Sequence, residues 1–247
     1  MEERSQVLKL LTALRVTLLA YKSDPEGQKE NLNSMVKDIH VFLGGTKREP
    51  SDPGFFYKKA TALKELGKAD EAVNSFDKAI KLDSESAGFY YQKAITLIKL
   101  ERFQEALDSF ERAIKIDPRD PGFWYNKGEV LLELGQYEDA VKSFDEAILL
   151  NSKMAGFWYK RAVALKKLEQ FEKAITSYDE AIKISSDDPG LWYDRACLQI
   201  QQDKIEESLS DLKKAIELGG DKFKEQVKHD KHFDQIKNNQ KFKEFVL

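Results

Sequence analysis

The chain has 247 residues, of which 41% are hydrophobic and 34% charged, with both signs mixed to a formal net charge of −3. That balance offers no single-sign field to draw nucleic acid or anionic lipid. A lone cysteine, Cys197, excludes an internal disulfide and a cysteine-based metal cluster, so a reduced, cytoplasmic protein is expected.

At the start of the chain, Val7 to Tyr21 is apolar enough to suggest an export signal, but Glu2 and Glu3 spoil a basic leader and Lys9 and Arg15 interrupt the run. The stretch is also too short and too charged to insert in a membrane. Val7, Leu11, Leu14 and Leu18 instead follow helical spacing, widened by Leu8, Leu10 and Leu19. Asp24-Pro25 supplies an N-cap and first-turn proline for a second helix running to Leu43, with Met35, Val36, Ile39 and Phe42 as its inner face and Gly44-Gly45 as its end. Residues 1–45 therefore form a helical hairpin. It either caps the first unit of an array or uses the Val7–Leu19 stripe to self-associate or to fill a groove.

After a polar linker, Thr46 to Ser51, one phrase recurs: a glycine, a bulky apolar residue, an aromatic, a tyrosine and then a cation two places on. Its glycines are Gly54, Gly88, Gly122, Gly156 and Gly190, each 34 residues from the next. A fixed period of this size marks a stacked array, because one unit cannot bury its apolar face alone. Counting slot one at Pro53, Ala87, Pro121, Ala155 and Pro189, the units span 53–86, 87–120, 121–154, 155–188 and 189–222. Asp-Pro opens the first, third and fifth as N-cap and N1. A first helix of about fourteen residues meets a turn at slot fifteen, where Gly67 and Gly135 suit a left-handed residue and Glu101, Glu169 and Asp203 take the place at some cost. A second helix runs to about slot thirty.

Large and small residues then fall in register. The large aromatics Phe56, Tyr90, Trp124, Trp158 and Trp192 are each followed four places on by Ala60, Ala94, Gly128, Ala162 or Ala196. In the second helix Ala72, Ala106, Ala140, Ala174 and Ser208 precede bulky Phe76, Phe110, Phe144, Tyr178 and Leu212, and then Ala79, Ala113, Ala147, Ala181 and Ala215. Helices approach closely only where a small residue receives a large one. On these residues, five units covering 53–220 resemble tetratricopeptide repeats. The resemblance implies an all-α, right-handed superhelical solenoid of helix hairpins, with the first helices lining a concave wall.

Two features depart from the family pattern. Slot seven, usually leucine, is Lys59, Lys93, Lys127, Arg161 or Arg195, while slot three holds Phe55, Phe89, Phe123, Phe157 or Leu191. Residues four apart share a helix face, so the apolar residue is expected to fill leucine's space while the basic stem crosses it to reach water. The basic row is alternatively a dock for an acidic partner. The fifth unit decays, and residues 221–247 add Phe223, Val227, Phe233, Ile236, Phe242 and Phe245 as one or two C-terminal capping helices.

No residues assemble into a catalytic site. His229 and His232 are three apart but no cysteine or third histidine lies near them in sequence. Cys197 has no neighbouring histidine to activate it, and Gly44-Gly45-Thr46-Lys47 lacks the spacing of a phosphate loop. A non-enzyme without cofactor or metal is expected. What remains is the concave wall at slots two, five, nine and twelve, which share a helix face. Slot five is tyrosine throughout: Tyr57, Tyr91, Tyr125, Tyr159 and Tyr193. Around that ladder stand Ile95, Ile98, Glu129, Leu132, Val163 and Lys166, with Cys197 and Ile200 beyond them. Family members that clamp acidic chaperone tails carry lysine and asparagine at slots five and nine of the first unit, where this chain has Tyr57 and Thr61. The expected function is a scaffold gripping a partner peptide or helix against Tyr91, Tyr125 and Tyr159. The alternative is a structural protein forming homo-oligomers through its N-terminal helix or repeat surfaces.

Overall fold

The computed structural model describes residues 2–45 and 51–246. Most of the Thr46–Ser51 linker therefore lies outside the described residues, as do the side chains of Val7, Leu8 and Phe42. The described chain is all-α and divides into two compact units, Met1–Arg119 and Asp120–Leu247. The first holds α1 (Glu2–Ser23), α2 (Pro25–Gly45), α3 (Pro53–Glu65), α4 (Ala69–Leu82), α5 (Ala87–Lys99) and α6 (Phe103–Ile116). The second holds α7 (Pro121–Glu133), α8 (Tyr137–Leu150), α9 (Ala155–Lys167), α10 (Phe171–Ile184), α11 (Pro189–Gln201), α12 (Ile205–His229), a 3-10 turn (Lys231–Ile236) and α13 (Gln240–Val246).

The helix boundaries follow local chemistry. Asp52, Asp120 and Asp188 accept hydrogen bonds from the amides of Gly54, Gly122 and Gly190 at 2.9, 2.7 and 2.8 Å, with proline in the first turn each time. The slot-fifteen turn has positive φ in every repeat, including the non-glycine Glu101, Glu169 and Asp203 at 57°, 57° and 56°. Those three residues adopt a backbone that glycine would enter freely. Gly220 does the same at the fifth repeat's end, where its φ of 65° breaks α12.

In the first unit, α1 and α2 share one core with the first repeat. Leu11, Leu14, Leu32, Val36 and Ile39 pack with Phe55, Phe56, Leu63 and Phe76, and the Tyr21 hydroxyl donates to the Glu65 carbonyl at 3.3 Å. Val16 and Leu19, on the other side of α1, stay exposed. Ala60, Ala94, Ala106 and Ala113 are fully buried, so small residues do receive the rings of their partner helices.

The second unit repeats that packing and closes it. The Phe144 ring occupies the space above Gly128, where an added Cβ would stand only 2.6 Å from the ring. Ser208 replaces the fifth repeat's alanine, and its hydroxyl donates to the Ala196 carbonyl at 3.0 Å. Val227, Phe233, Ile236, Phe242 and Val246 then bury against Tyr193, Cys197, Ile200 and Leu212.

The slot-seven cations join neighbouring repeats. Lys93 reaches Asp77 at 2.6 Å and Arg161 reaches Asp145 at 2.6 Å, while Arg195 pairs with Asp179 of the preceding repeat. Arg161 also donates to Ser177 at 2.7 Å, and Arg195 grips Asp211 through two nitrogens at 2.6 and 2.7 Å. The apolar slot-three residues Phe55, Phe123, Phe157 and Leu191 are buried as expected. The basic ends do not simply run out to water, because an aspartate of the adjacent second helix meets them. The Arg195 guanidinium also lies over the Trp192 ring, 5.1 Å from its centre.

Candidate functional site

Four of the slot-five tyrosines are held from behind by the slot-24 ring of their own hairpin. Tyr57, Tyr91, Tyr125 and Tyr159 meet Phe76, Phe110, Phe144 and Tyr178 at centroid distances of 5.9, 6.0, 5.9 and 6.1 Å. A second ring comes from the next repeat: Phe89 beside Tyr57 at 5.3 Å and Phe157 beside Tyr125 at 5.1 Å. Aromatic pairs at such distances add to simple burial. These four phenols are therefore fixed in place yet only half-buried.

Tyr193 is different, and here the expected five-step ladder is corrected. It is 9% exposed, wedged edge-on between Phe223 and Phe233, and its hydroxyl donates to Asp230. Cys197 and Ile200 are buried with it. The C-terminal segment folds back over slots five, nine and twelve of the fifth repeat, so these positions line a core.

The remaining site residues lie on one face in each unit. In the first, Tyr57, Tyr91, Ile95 and Ile98 are half-buried, and the Lys64 ammonium donates to Gln92 at 2.7 Å. Burial lowers the pKa of Lys64, and the nearby Lys99 and Lys22 add to the effect against Glu65. In the second, Glu129, Leu132, Val163 and Lys166 are half-buried beside Tyr125 and Tyr159. Two clefts, of about 210 and 480 Å³, open there and share Tyr159 and Asp194. Ala155, Gly156, Gly190 and Leu191 wall the smaller, and Val163, Lys166, Phe171 and Gln201 the larger.

Polar groups set the orientation of these rings. Burial pushes the Tyr125 phenol up to about 12, helped by the charge of Glu129 and a hydrogen bond to it, and Glu129 in turn is 2.8 Å from Lys160. Tyr159 is pushed up to about 12 by burial and by Asp194, to which it hydrogen-bonds. Burial likewise raises the Asp194 carboxyl above its ordinary value. Asp194 and Lys160 were not singled out from sequence. Both stand at slot six, which reads Lys58, Gln92, Asn126, Lys160 and Asp194, and its variation between invariant tyrosine and invariant cation was the available signal.

The two histidines part company. His229 is exposed, its Nε2 3.4 Å from Glu225, whereas His232 turns back to Asp230. Contrary to the sequence reading, Cys197 does have a histidine nearby: donor atoms of Cys197, Asp230 and His232 all lie within 4.8 Å of one another. Burial pushes the Cys197 thiol up to about 12, with Asp230 and Asp194 adding to it, which leaves it protonated and a poor nucleophile at neutral pH. Among the described residues, no helix is long and apolar enough to cross a membrane.

Hairpins of this size, period and packing define a helical repeat protein whose first helices present a shared face. Tetratricopeptide repeat models match residues 57–121, 125–189 and 189–218. The chain belongs to the tetratricopeptide repeat family, whose members are generally protein-interaction scaffolds. No curated protein sequence matches it. Among solved structures, the C-terminal part of a tetratricopeptide repeat protein from Cytophaga hutchinsonii superposes with a TM-score of 0.71 at 17% identity, over 87% of this chain and 83% of that one. MamA from Desulfovibrio magneticus RS-1 gives 0.64 at 21% identity, over 68% and 94%. YrrB, described as a TPR protein with an unusual peptide-binding site, gives 0.64 at 21%, over 78% and 98%. At these identities the likeness establishes the fold alone.

Proposed function

We propose that the chain is a non-catalytic interaction module that takes an extended or helical peptide on the first-helix face of the Asp120–Leu247 unit, with Tyr125 and Tyr159 as anchors. The observation that carries this reading is the pair of clefts meeting at Tyr159 and Asp194. There a phenol is locked by its own stack and by a carboxylate, so it offers large contact area at little further entropic cost. Val163 and Leu132 give apolar side chains of the peptide somewhere to go, and the tyrosine hydroxyls give its backbone a polar handle. Tyr57, Tyr91, Ile95 and Ile98 form a face of the same kind in the first unit. The peptide-binding site described for YrrB, a protein of the same fold, is in keeping with this use of the scaffold.

The test is selection of displayed random peptides on the purified full chain, followed by affinity measurement with Tyr125→Ala and Tyr159→Ala. Each substitution should weaken a selected peptide at least tenfold while the helical circular dichroism is unchanged. Peptides that bind both variants as tightly as the parent would overturn the assignment. A second reading, self-assembly through α1, is favoured by the exposure of Val16 and Leu19, at 62% and 60%. It predicts a particle size that grows with concentration and returns to the monomer value in Val16→Asp/Leu19→Asp.

A further inference from the structure

We propose that the C-terminal cap carries a site for one divalent cation of the zinc class, held by Cys197, Asp230 and His232. Their thiol, carboxylate and imidazole donors converge within 4.8 Å from two elements that are far apart in sequence. Ligands around a tetrahedral zinc stand about 3.5 Å from one another, given metal–ligand distances of roughly 2.0–2.3 Å. The His232 ring is half exposed on its solvent side, which leaves it room to shift outward until its 2.7 Å contact with Asp230 reaches that spacing. Thiolate with imidazole and one carboxylate is a donor set for zinc, cobalt or cadmium rather than for magnesium or calcium, which take oxygen ligands.

The carboxylate is already oriented for the task. The Tyr193 hydroxyl donates to one of its oxygens, and the His232 backbone amide donates to the other at 2.9 Å, the outer support that metal-binding carboxylates need. At 2.7 Å, His232 Nδ1 faces the same Asp230 oxygen, so both can turn a lone pair to one cation once that nitrogen is unprotonated. The neutral imidazole carries its single proton on Nε2, the Cys197 thiol proton leaves to solvent, and water fills the fourth position. The site joins α11 to the 3-10 turn, and bound metal therefore stabilises the closed cap.

Titration of the full chain with cobalt(II) is the direct test. A thiolate-to-cobalt charge-transfer band should appear at one equivalent, and zinc should raise the melting temperature. Cys197→Ser should abolish the band and the zinc-induced shift. His232→Ala should weaken cobalt binding by about tenfold or more, and His229→Ala should leave both signals unchanged. The proposal is overturned by a cobalt titration without a thiolate band, by a zinc shift that survives Cys197→Ser, or by loss of binding in His229→Ala, which would place the ion on the exposed His229–Glu225 pair.

Discussion

Tyr159 and Tyr193 occupy the same slot in consecutive repeats and meet opposite fates. Tyr159 rests on Tyr178, bonds to Asp194 and stays partly exposed, whereas Tyr193 is sealed by Phe223 and Phe233. Both lie at the same place on a first helix, with Tyr178 behind one and Leu212 at the corresponding slot behind the other. A recognition surface and a core are thus made from one residue pattern, and what distinguishes them is whether later chain folds back.

The sharpest way to break that contrast is to remove the lid. Phe233→Ala deletes a fully buried ring against Tyr193 and should cost about 3–5 kcal/mol. Urea unfolding should show the loss, and Tyr193 fluorescence should become accessible to quenchers. Next comes the latch beneath it. Arg195→Met leaves Asp211, whose side chain is only 6% exposed, without its cation, and should cost about 3–5 kcal/mol. The same change in the second repeat, Lys93→Met, strands an Asp77 that is 49% exposed and should cost about 1 kcal/mol or less. Equal losses from the two substitutions would show that burial does not set the strength of this contact.

Proton linkage separates the two regions further. Folding favours the neutral phenols of Tyr125 and Tyr159, so their contribution is complete below about pH 10 and is lost as the pH climbs through about 12. Tyr193 shares that alkaline direction. Burial alone would raise the Asp230 carboxyl, but hydrogen bonds from Tyr193 and His232 outweigh it and hold the group below its ordinary value of 3.8. Its contribution is therefore present above that value and lost as acid carries the pH down through the depressed one. Unfolding followed against pH should show the acid limb move in Asp230→Asn and the alkaline limb shrink in Tyr159→Phe.

The smallest expected effect lies at the turns. Glu169→Gly relieves a left-handed backbone worth about 1–2 kcal/mol but frees the unfolded chain by about 0.5–1 kcal/mol, for a net gain near 0.5 kcal/mol. A loss of stability there would mean that the Glu169 side chain contributes something its backbone conceals.

Much of this was legible in the amino-acid sequence because it repeats. Positive-φ turns and the pairing of Gly128 with Phe144 belong to a pattern with a 34-residue period, and Asp-Pro caps return every second repeat, so each repeat supports the reading of the others. What escaped is what does not recur. The sealing of Tyr193 depends on Phe233, 40 residues away in a segment that has no counterpart elsewhere in the chain. Cys197 and His232 meet through the same return, so their spacing in sequence carried no metal signature. The slot-seven cations recur, but the aspartates that meet Lys93, Arg161 and Arg195 sit in second helices, and a single first-helix face shows only a basic row.

Side-chain capping alternates among the first helices of the repeats, whereas the second helices have none. Asp52, Asp120 and Asp188 close α3, α7 and α11, while Ser86 and Met154 leave α5 and α9 without a side-chain cap. A missing cap is worth about 1 kcal/mol, and these uncapped starts, at Ala87 and Ala155, are 68 residues apart. Among the first helices, amide exchange should accordingly be faster at the starts of α5 and α9 than at those of α3, α7 and α11. Along the first helices, end stability is then modulated over 68 residues, twice the period written in the sequence.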